Sequence, residues 1–254
     1  MNPTPYPELN TLFARLLAGV QTTLGDALLG LYLHGSLAAG DFDPQRSDVD
    51  FLVVTAGELE AARLPTLAAM HADITDSGLK WADRLEGSYI PQAALRRYDP
   101  AHASHPALRV DGSFDVDFHA SDWIIQRWVI REHGIALVGP DPHTFIDPVA
   151  PEALRGAVRG ILREWWLPQV DDPFRLATSE YRAYAILTMC RSLYTLEHGA
   201  VVSKPAAGRW AQAALGEPRA ALIGRALTWE PDTLPGSLDE TLDFIRETLE
   251  RAEV

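Results

Sequence analysis

Residues 28–33, Leu28-Leu29-Gly30-Leu31-Tyr32-Leu33, form an apolar run that stops at His34-Gly35-Ser36. After the small and polar residues 37–47, a second run, Phe51-Leu52-Val53-Val54, is opened by Asp48-Val49-Asp50. Short apolar runs bounded by turn residues read as buried strands. Strand side chains alternate faces, so Asp48 and Asp50 point the same way. Two carboxylates on one face repel unless a cation sits between them, and Mg²⁺, which takes hard oxygen ligands and shares them with phosphates, suits that place. Gly35 lets backbone approach closely, and Ser36 adds a hydroxyl and exposed N–H groups, as a phosphate tail needs. An Asp-x-Asp alone is common, and Asp115-Val116-Asp117 is a second instance in the same chain. The ordered set carries the weight: strand, Gly-Ser, polar spacer, Ser47-Asp48-x-Asp50, strand.

The chain is 254 residues long, enough for one large or two modest domains, and its 47% apolar and 22% charged residues describe an ordinary globule. The net charge of -13 argues against a nucleic-acid backbone as main partner and suits a cationic small substrate. A nucleotide still binds such a protein where Mg²⁺ and a few local cations offset the charge. The single cysteine, Cys190, excludes an intrachain disulfide, and its apolar helical setting makes it a core thiol. The start, Met1-Asn2-Pro3-Thr4-Pro5-Tyr6-Pro7, lacks a basic region and an apolar core, so no signal peptide is expected and the cytoplasm is the expected location. A monomer without membrane attachment is expected.

Leu9, Leu12, Phe13, Leu16, Leu17, Val20 and Leu24 recur at helical spacing, with Gly25 placed as cap. A helix is predicted within 57–73, a strand over Arg84–Ile90 with Glu86 and Ser88 on one face, and loop with short helix over 91–112. Ser113–His119 alternates as a strand, Ser121–His133 reads as a helix, and Ile135–Val138 as a short strand closed by Gly139-Pro140. From Pro151 no strand pattern returns; helices are predicted at 151–167, 174–198, 205–215, 217–229 and 238–252, with a Ser237/Glu240 capping signature on the last. The expected fold is therefore α+β in two domains: an α/β domain over 1–148 and an all-α helical bundle over 149–254.

With a metal on Asp48 and Asp50, the expected reaction is attack of an acceptor hydroxyl on the nucleotide α-phosphorus, releasing pyrophosphate. A third carboxylate to take the hydroxyl proton has two candidates, Glu86 and Asp117, which the residues alone do not separate.

Leu33-His34-Gly35-Ser36 with Arg46-Ser47-Asp48-Val49-Asp50 resembles the first motif of the polymerase-β-like nucleotidyltransferase superfamily. Leu85-Glu86, Asp115-Val116-Asp117-Phe118, Arg131 through Pro140, Leu187 through Tyr194, and Ser203-Lys204-Pro205 through Trp210-Ala211 extend the resemblance over nearly the full length. The family they resemble is the aminoglycoside 3''-adenylyltransferases that modify streptomycin and spectinomycin. The resemblance implies ATP held between two domains, Asp48, Asp50 and Glu86 around magnesium, and Glu86 as base. It also implies Ser36 and Ser47 on the phosphates, beside Gly35, with Arg191 and Lys204 reaching them from the helical domain. An acidic protein needs such cations near a triphosphate.

The acceptor side departs from the family, whose drug-modifying members use an acid early in the long helix and a tryptophan of the first domain. The family's interval puts Tyr181 at the acid's position, with Glu180 adjacent, and residues 99–112 hold no tryptophan. The expected function is AMP transfer from ATP to a hydroxyl of a small cationic acceptor. The alternatives are a protein or other metabolite as acceptor, or a silent nucleotide-binding module.

Overall fold

The computed structural model describes residues 3–231 and 233–254 and divides into two compact units, Met1–Pro148 and Val149–Val254. The first unit is built on a six-stranded sheet: β1 (Leu28–Leu33), β2 (Val49–Thr55), β3 (Leu85–Pro91), β4 (Ser104–Leu108), β5 (Phe114–Phe118) and β6 (Ile135–Val138), in the order β5-β4-β3-β2-β1-β6. β2 and β3 are parallel, and the other neighbours are antiparallel. A parallel pair needs a crossover connection. Helix α3 (Leu64–Thr75) lies in that connection, after α1 (Pro7–Leu24) and the one-turn α2 (Gly35–Ala38).

α1 forms because Leu9, Leu12, Phe13, Leu16, Val20 and Leu24 make one buried stripe, with Pro at its first turn. Gly25 ends it at φ 52, a conformation few other residues adopt, and returns its N–H to Gln21 O. The stripe packs with Leu67 and Ile74 of α3 on the sheet face formed by Leu31, Leu33, Val49, Phe51, Val53, Leu85 and Tyr89. The opposite face carries Tyr32, Leu52, Val54 and Ile90, covered by Leu95 of α4 (Gln92–Arg96), Ile130 of α5 (Asp122–His133), Phe145 and Ile146.

β4 corrects the loop predicted over 91–112. Its period is hidden because Pro106 lies within it, and proline is rarely found inside a sheet. The β3 ladder pairs only Gly87 and Ser88 with Leu108 and Ala107, so it stops short of Pro106, which is opposite Val116 of β5 instead.

His71 of α3 is 1% exposed, stacked near Phe51 and Phe114, with Nε2 2.7 Å from the Tyr89 hydroxyl. Burial lowers its pKa from 6.5 to about 4. The native state therefore holds His71 neutral, while the unfolded chain takes up a proton below pH 6.5. Its contribution is whole above that pH and is lost as the pH falls toward 4. At pH 5 the linkage amounts to about 2 kcal/mol. The stability advantage of the wild type over His71→Phe should shrink by that amount between pH 7.5 and pH 5 in urea titrations, and an unchanged difference refutes it.

The second unit is helical: α6 (Pro151–Ile161), α7 (Pro168–Asp171), α8 (Ser179–His198), α9 (Lys204–Leu215), α10 (Arg219–Leu227) and α11 (Leu238–Arg251). The helix predicted over 151–167 is interrupted by a five-residue π segment, Leu162–Trp166. The helix predicted from 174 starts at Ser179 instead, because Thr178 caps it by accepting the Tyr181 N–H at 3.2 Å. Ser237 and Glu240 form the full capping box on α11. Cys190 is fully buried, and burial pushes its thiol up to about 12, as a core residue requires.

Candidate active site

The strands set the site geometry. Asp50 on β2 is the register partner of Glu86 on β3, so the two carboxylates leave one face of the sheet side by side. Asp48 lies just before β2 begins, near enough to Glu86 for its charge to be felt there. Glu86 keeps an exposed edge, yet burial, then Asp50, then Asp48, raise its pKa from 4.5 to about 7. Loss of solvent and like charges both disfavour its ionised form.

The turn after β1 is fitted to Asp50. Gly35 takes φ 59, and a Cβ there would collide with Asp50 Oδ2. Only glycine meets both demands. The His34 N–H donates to Asp50 O at 3.2 Å, which fixes the turn on β2. Ser36 lies half-buried in α2. Ser47 closes the loop before Asp48: its hydroxyl accepts the Asp43 N–H at 2.9 Å, and its own N–H donates to Asp43 O at 2.9 Å. The Trp81 indole donates to Pro44 O at 2.8 Å, pinning the same loop.

Asp115 and Asp117 also point to the Glu86 face, because Asp115 opposes Ala107, and Ala107 opposes Ser88. Their surroundings differ from those of Glu86. Asp117 is ion-paired with Arg109, while Asp115 Oδ1 accepts the Val116 N–H at 2.7 Å. Glu86 instead faces carboxylates, the condition that makes a group avid for a proton or a cation.

The oxygen-only donor set of Asp48, Asp50 and Glu86 fits a hard divalent cation, which would remove the repulsion between them. Among the described residues, however, no three His, Cys, Asp or Glu side chains converge as ligands on one point. The three carboxylates feel one another's charge without forming a closed cage.

The remaining candidates belong to the helical unit. Glu180 is exposed in the first turn of α8, and Tyr181 is half-buried, its hydroxyl accepting the Trp165 indole N–H at 3.3 Å. Arg191 is half-buried later on α8. Lys204 opens α9, capped by Ser203, with Nζ 4.2 Å from the centre of the Tyr184 ring.

Three neighbours escaped the sequence reading. His34 is 6% exposed beside Asp50, and its fully buried Nδ1 has no partner among the described residues. Burial, opposed by Asp50, holds its pKa below the ordinary value. Arg109 is a cation on the carboxylate face, visible only once β4 is known. Tyr184 could have been found from its place three residues after Tyr181, one helical turn on.

Comparison with known proteins finds relatives of both units. Residues 15–96 match the family described as Nucleotidyltransferase domain, and residues 144–248 match Aminoglycoside adenylyltransferase, C-terminal domain. An aminoglycoside (3'') (9) adenylyltransferase from Escherichia coli is 25% identical, over 96% of this chain and 95% of that protein. One from Rhizobium radiobacter is 26% identical, over 94% and 91%. The crystal structure of spectinomycin adenyltransferase AAD(9) from Enterococcus faecialis, solved with ATP and spectinomycin, superposes with a TM-score of 0.75 at 18% identity, covering 96% of this chain and 99% of that one. Fold and site thus define a nucleotidyltransferase enzyme. Within that class, the chain is similar over nearly its whole length to aminoglycoside (3'') (9) adenylyltransferases and carries their C-terminal domain. No described helix is long and apolar enough to cross a membrane.

Proposed function

We propose that this protein moves AMP from ATP to a hydroxyl of a small, cationic, aminocyclitol-like acceptor and releases pyrophosphate. The observation that carries the reading is the Asp50–Glu86 register pair beside the glycine turn that admits a phosphate tail. A carboxylate held at that place can accept the proton of an acceptor hydroxyl.

In the step itself, the acceptor oxygen attacks the α-phosphorus and the Glu86 carboxylate takes its proton. The new O–P bond forms as the bond to the β-phosphate oxygen breaks, and the electron pair leaves with pyrophosphate. Ser36 and Ser47 hold phosphate oxygens, Gly35 lets the backbone close on them, and Arg191 and Lys204 offset the negative charge. Mg²⁺, when bound to Asp48, Asp50 and Glu86, supplies further neutralisation of the triphosphate. Glu180 and Tyr181 belong to the acceptor side. Incubation with Mg²⁺, labelled ATP and a panel of aminocyclitols should give an acceptor heavier by one AMP, with matching pyrophosphate. Pyrophosphate release without any adenylylated product, across the panel, would falsify the choice of acceptor class.

Tyr181 bears on which acceptor is used. A phenol hydrogen-bonded to Trp165 cannot neutralise an ammonium or guanidinium at neutral pH. Losing one charge-assisted contact weakens binding by roughly 1.5–3 kcal/mol, about ten- to a hundredfold. Poor use of streptomycin and spectinomycin is therefore expected, and Tyr181→Asp should lower the KM for at least one of them. Efficient use of both drugs, indifferent to changes at Glu180 and Tyr181, would remove these residues from the acceptor side.

A further inference from the structure

Arg127 of α5 is 5% exposed, and its Nε donates to Leu95 O at 2.6 Å. Among the described residues it has no other hydrogen bond and no ion pair. Arginine is almost never buried unless its charge is paired. The carboxylate whose charge Arg127 feels is Asp147, and that group is already held by Arg96 at 3.0 Å and by Arg97 at 2.5 Å. Burial lowers the Arg127 pKa from 12.5 to about 10, so it keeps its charge at neutral pH. The first unit thus contains a buried cation whose counterion is engaged elsewhere.

The Arg127 side chain lines a cleft together with Tyr98, Asp99, His105, His119 and Trp123. The cleft offers about 250 Å³ of space, its open mouth included. That lies below the usual range for a drug-sized ligand and suits a group of a few atoms. His105 and His119 are 4% and 6% exposed, with ring centres 5.2 Å apart, and the His119 ring stacks on Trp123 at 4.0 Å. Burial lowers both pKa values, that of His119 to about 3, so both rings are neutral and each carries one N–H. His105 Nδ1 is buried and has no partner among the described residues. Asp99, the carboxylate among the lining residues, is exposed and already accepts the Ala101 N–H at 2.9 Å, with His102 Nδ1 at 3.0 Å. Water in the cleft could bond to an imidazole nitrogen, but it could not balance the guanidinium charge.

We propose that this cleft binds a compact oxyanion, a phosphate or carboxylate group, held by the Arg127 guanidinium and the imidazoles of His105 and His119. A guanidinium fork takes two oxygens of either group side by side. Neutral imidazoles add hydrogen bonds without adding charge, so the anion and Arg127 balance one another. A site built on a buried cation repels the cationic acceptor, which sets it apart from the acceptor side. It also lies beyond the carboxylates along the same strand. His119 Nε2 is 3.2 Å from the hydroxyl of Ser88, two residues past Glu86 on β3. The proposal does not rest on the transfer reading.

Imidazole NMR signals of the full chain test this. Sodium phosphate, sodium acetate and sodium chloride are each titrated in at constant ionic strength and pH, with a non-hydrolysable ATP analogue and Mg²⁺ saturating the nucleotide site. The signals of His105 and His119 should move along one saturating curve with phosphate or acetate, and the tighter of the two identifies the group. The signal of His71, stacked near Phe51 on the opposite sheet face, should stay still. Chloride should move none of them. Arg127→Met, which keeps the apolar stem and removes the charge, should weaken binding about ten- to a hundredfold. Should that variant fail to fold, the wild-type titrations decide alone. The proposal is overturned if both anions leave the two signals unmoved, if chloride moves them equally, or if the ATP analogue abolishes the effect. A folded Arg127→Met that binds as well as the wild type would overturn it too.

Discussion

Asp50→Asn should reduce AMP transfer by about 10²-fold or more, the cost of deleting one preorganised electrostatic contact at a site of developing charge. The substitution is close to isosteric, and Asp50 is only half-buried, so the fold should persist. A second readout separates this loss from misfolding. Asp50 contributes to the repulsion that raises Glu86, and a neutral asparagine relieves it. Thermal stability should therefore hold or rise slightly while activity collapses. Near-normal turnover in this variant would remove Asp50 from the site, and a drop in thermal midpoint as large as the loss of activity would make the effect structural.

Glu86→Gln should lower kcat by about 10²–10⁴-fold, the usual contribution of a positioned general base, with the affinity for ATP much less affected. Glutamine keeps the shape and polarity of the side chain and cannot accept the proton. Asp117→Asn is the control. Its carboxylate is engaged by Arg109 and shares the sheet face with Glu86, so the variant should lose little beyond a partly exposed ion pair, about 0–1 kcal/mol of stability. Single-turnover assays with saturating ATP decide between them. A dead Asp117→Asn beside an active Glu86→Gln would reverse the assignment of the base.

Much of this was legible in the chain because local patterns and tertiary demands coincide there. Leu28–Leu33 is apolar and stops at the His34-Gly35 turn, and it is β1; Glu86 and Ser88 alternate with Leu85, Gly87 and Tyr89, and they lie on the face opposite α1 and α3. Asp48 and Asp50 could be placed on one face from alternation alone, whereas setting Glu86 beside Asp50 needed the parallel β2–β3 register, which no local pattern encodes. β4 was missed because Pro106 contradicts strand propensity and is tolerated only where the β3 ladder has ended. The choice between Glu86 and Asp117 was undecidable locally for a related reason. Asp117 differs through Arg109, its partner just beyond a strand that could not be read. The π segment left no trace in the periodicity of 151–167, since an extra residue in one turn shifts a helical stripe without erasing it.

The β2–β3 register has a consequence for what this scaffold can become. Gly87 is seated so closely on Phe51 that a Cβ there would run into its backbone oxygen and its ring. Leu85, Val49, Phe51 and Tyr89 are all sunk in the core beneath α1 and α3. A one-residue slip between the strands would turn Glu86 into the packed face beneath α1 and α3 and take Leu85 and Tyr89 out of it, because the strand period is two. The carboxylate alignment thus depends on the same burial that keeps the unit folded. Glu180 and Tyr181, the residues proposed for the acceptor side, lie in the first turn of α8, outside that strand pair. Descendants of this chain are therefore free to change what they modify long before they change how they modify it.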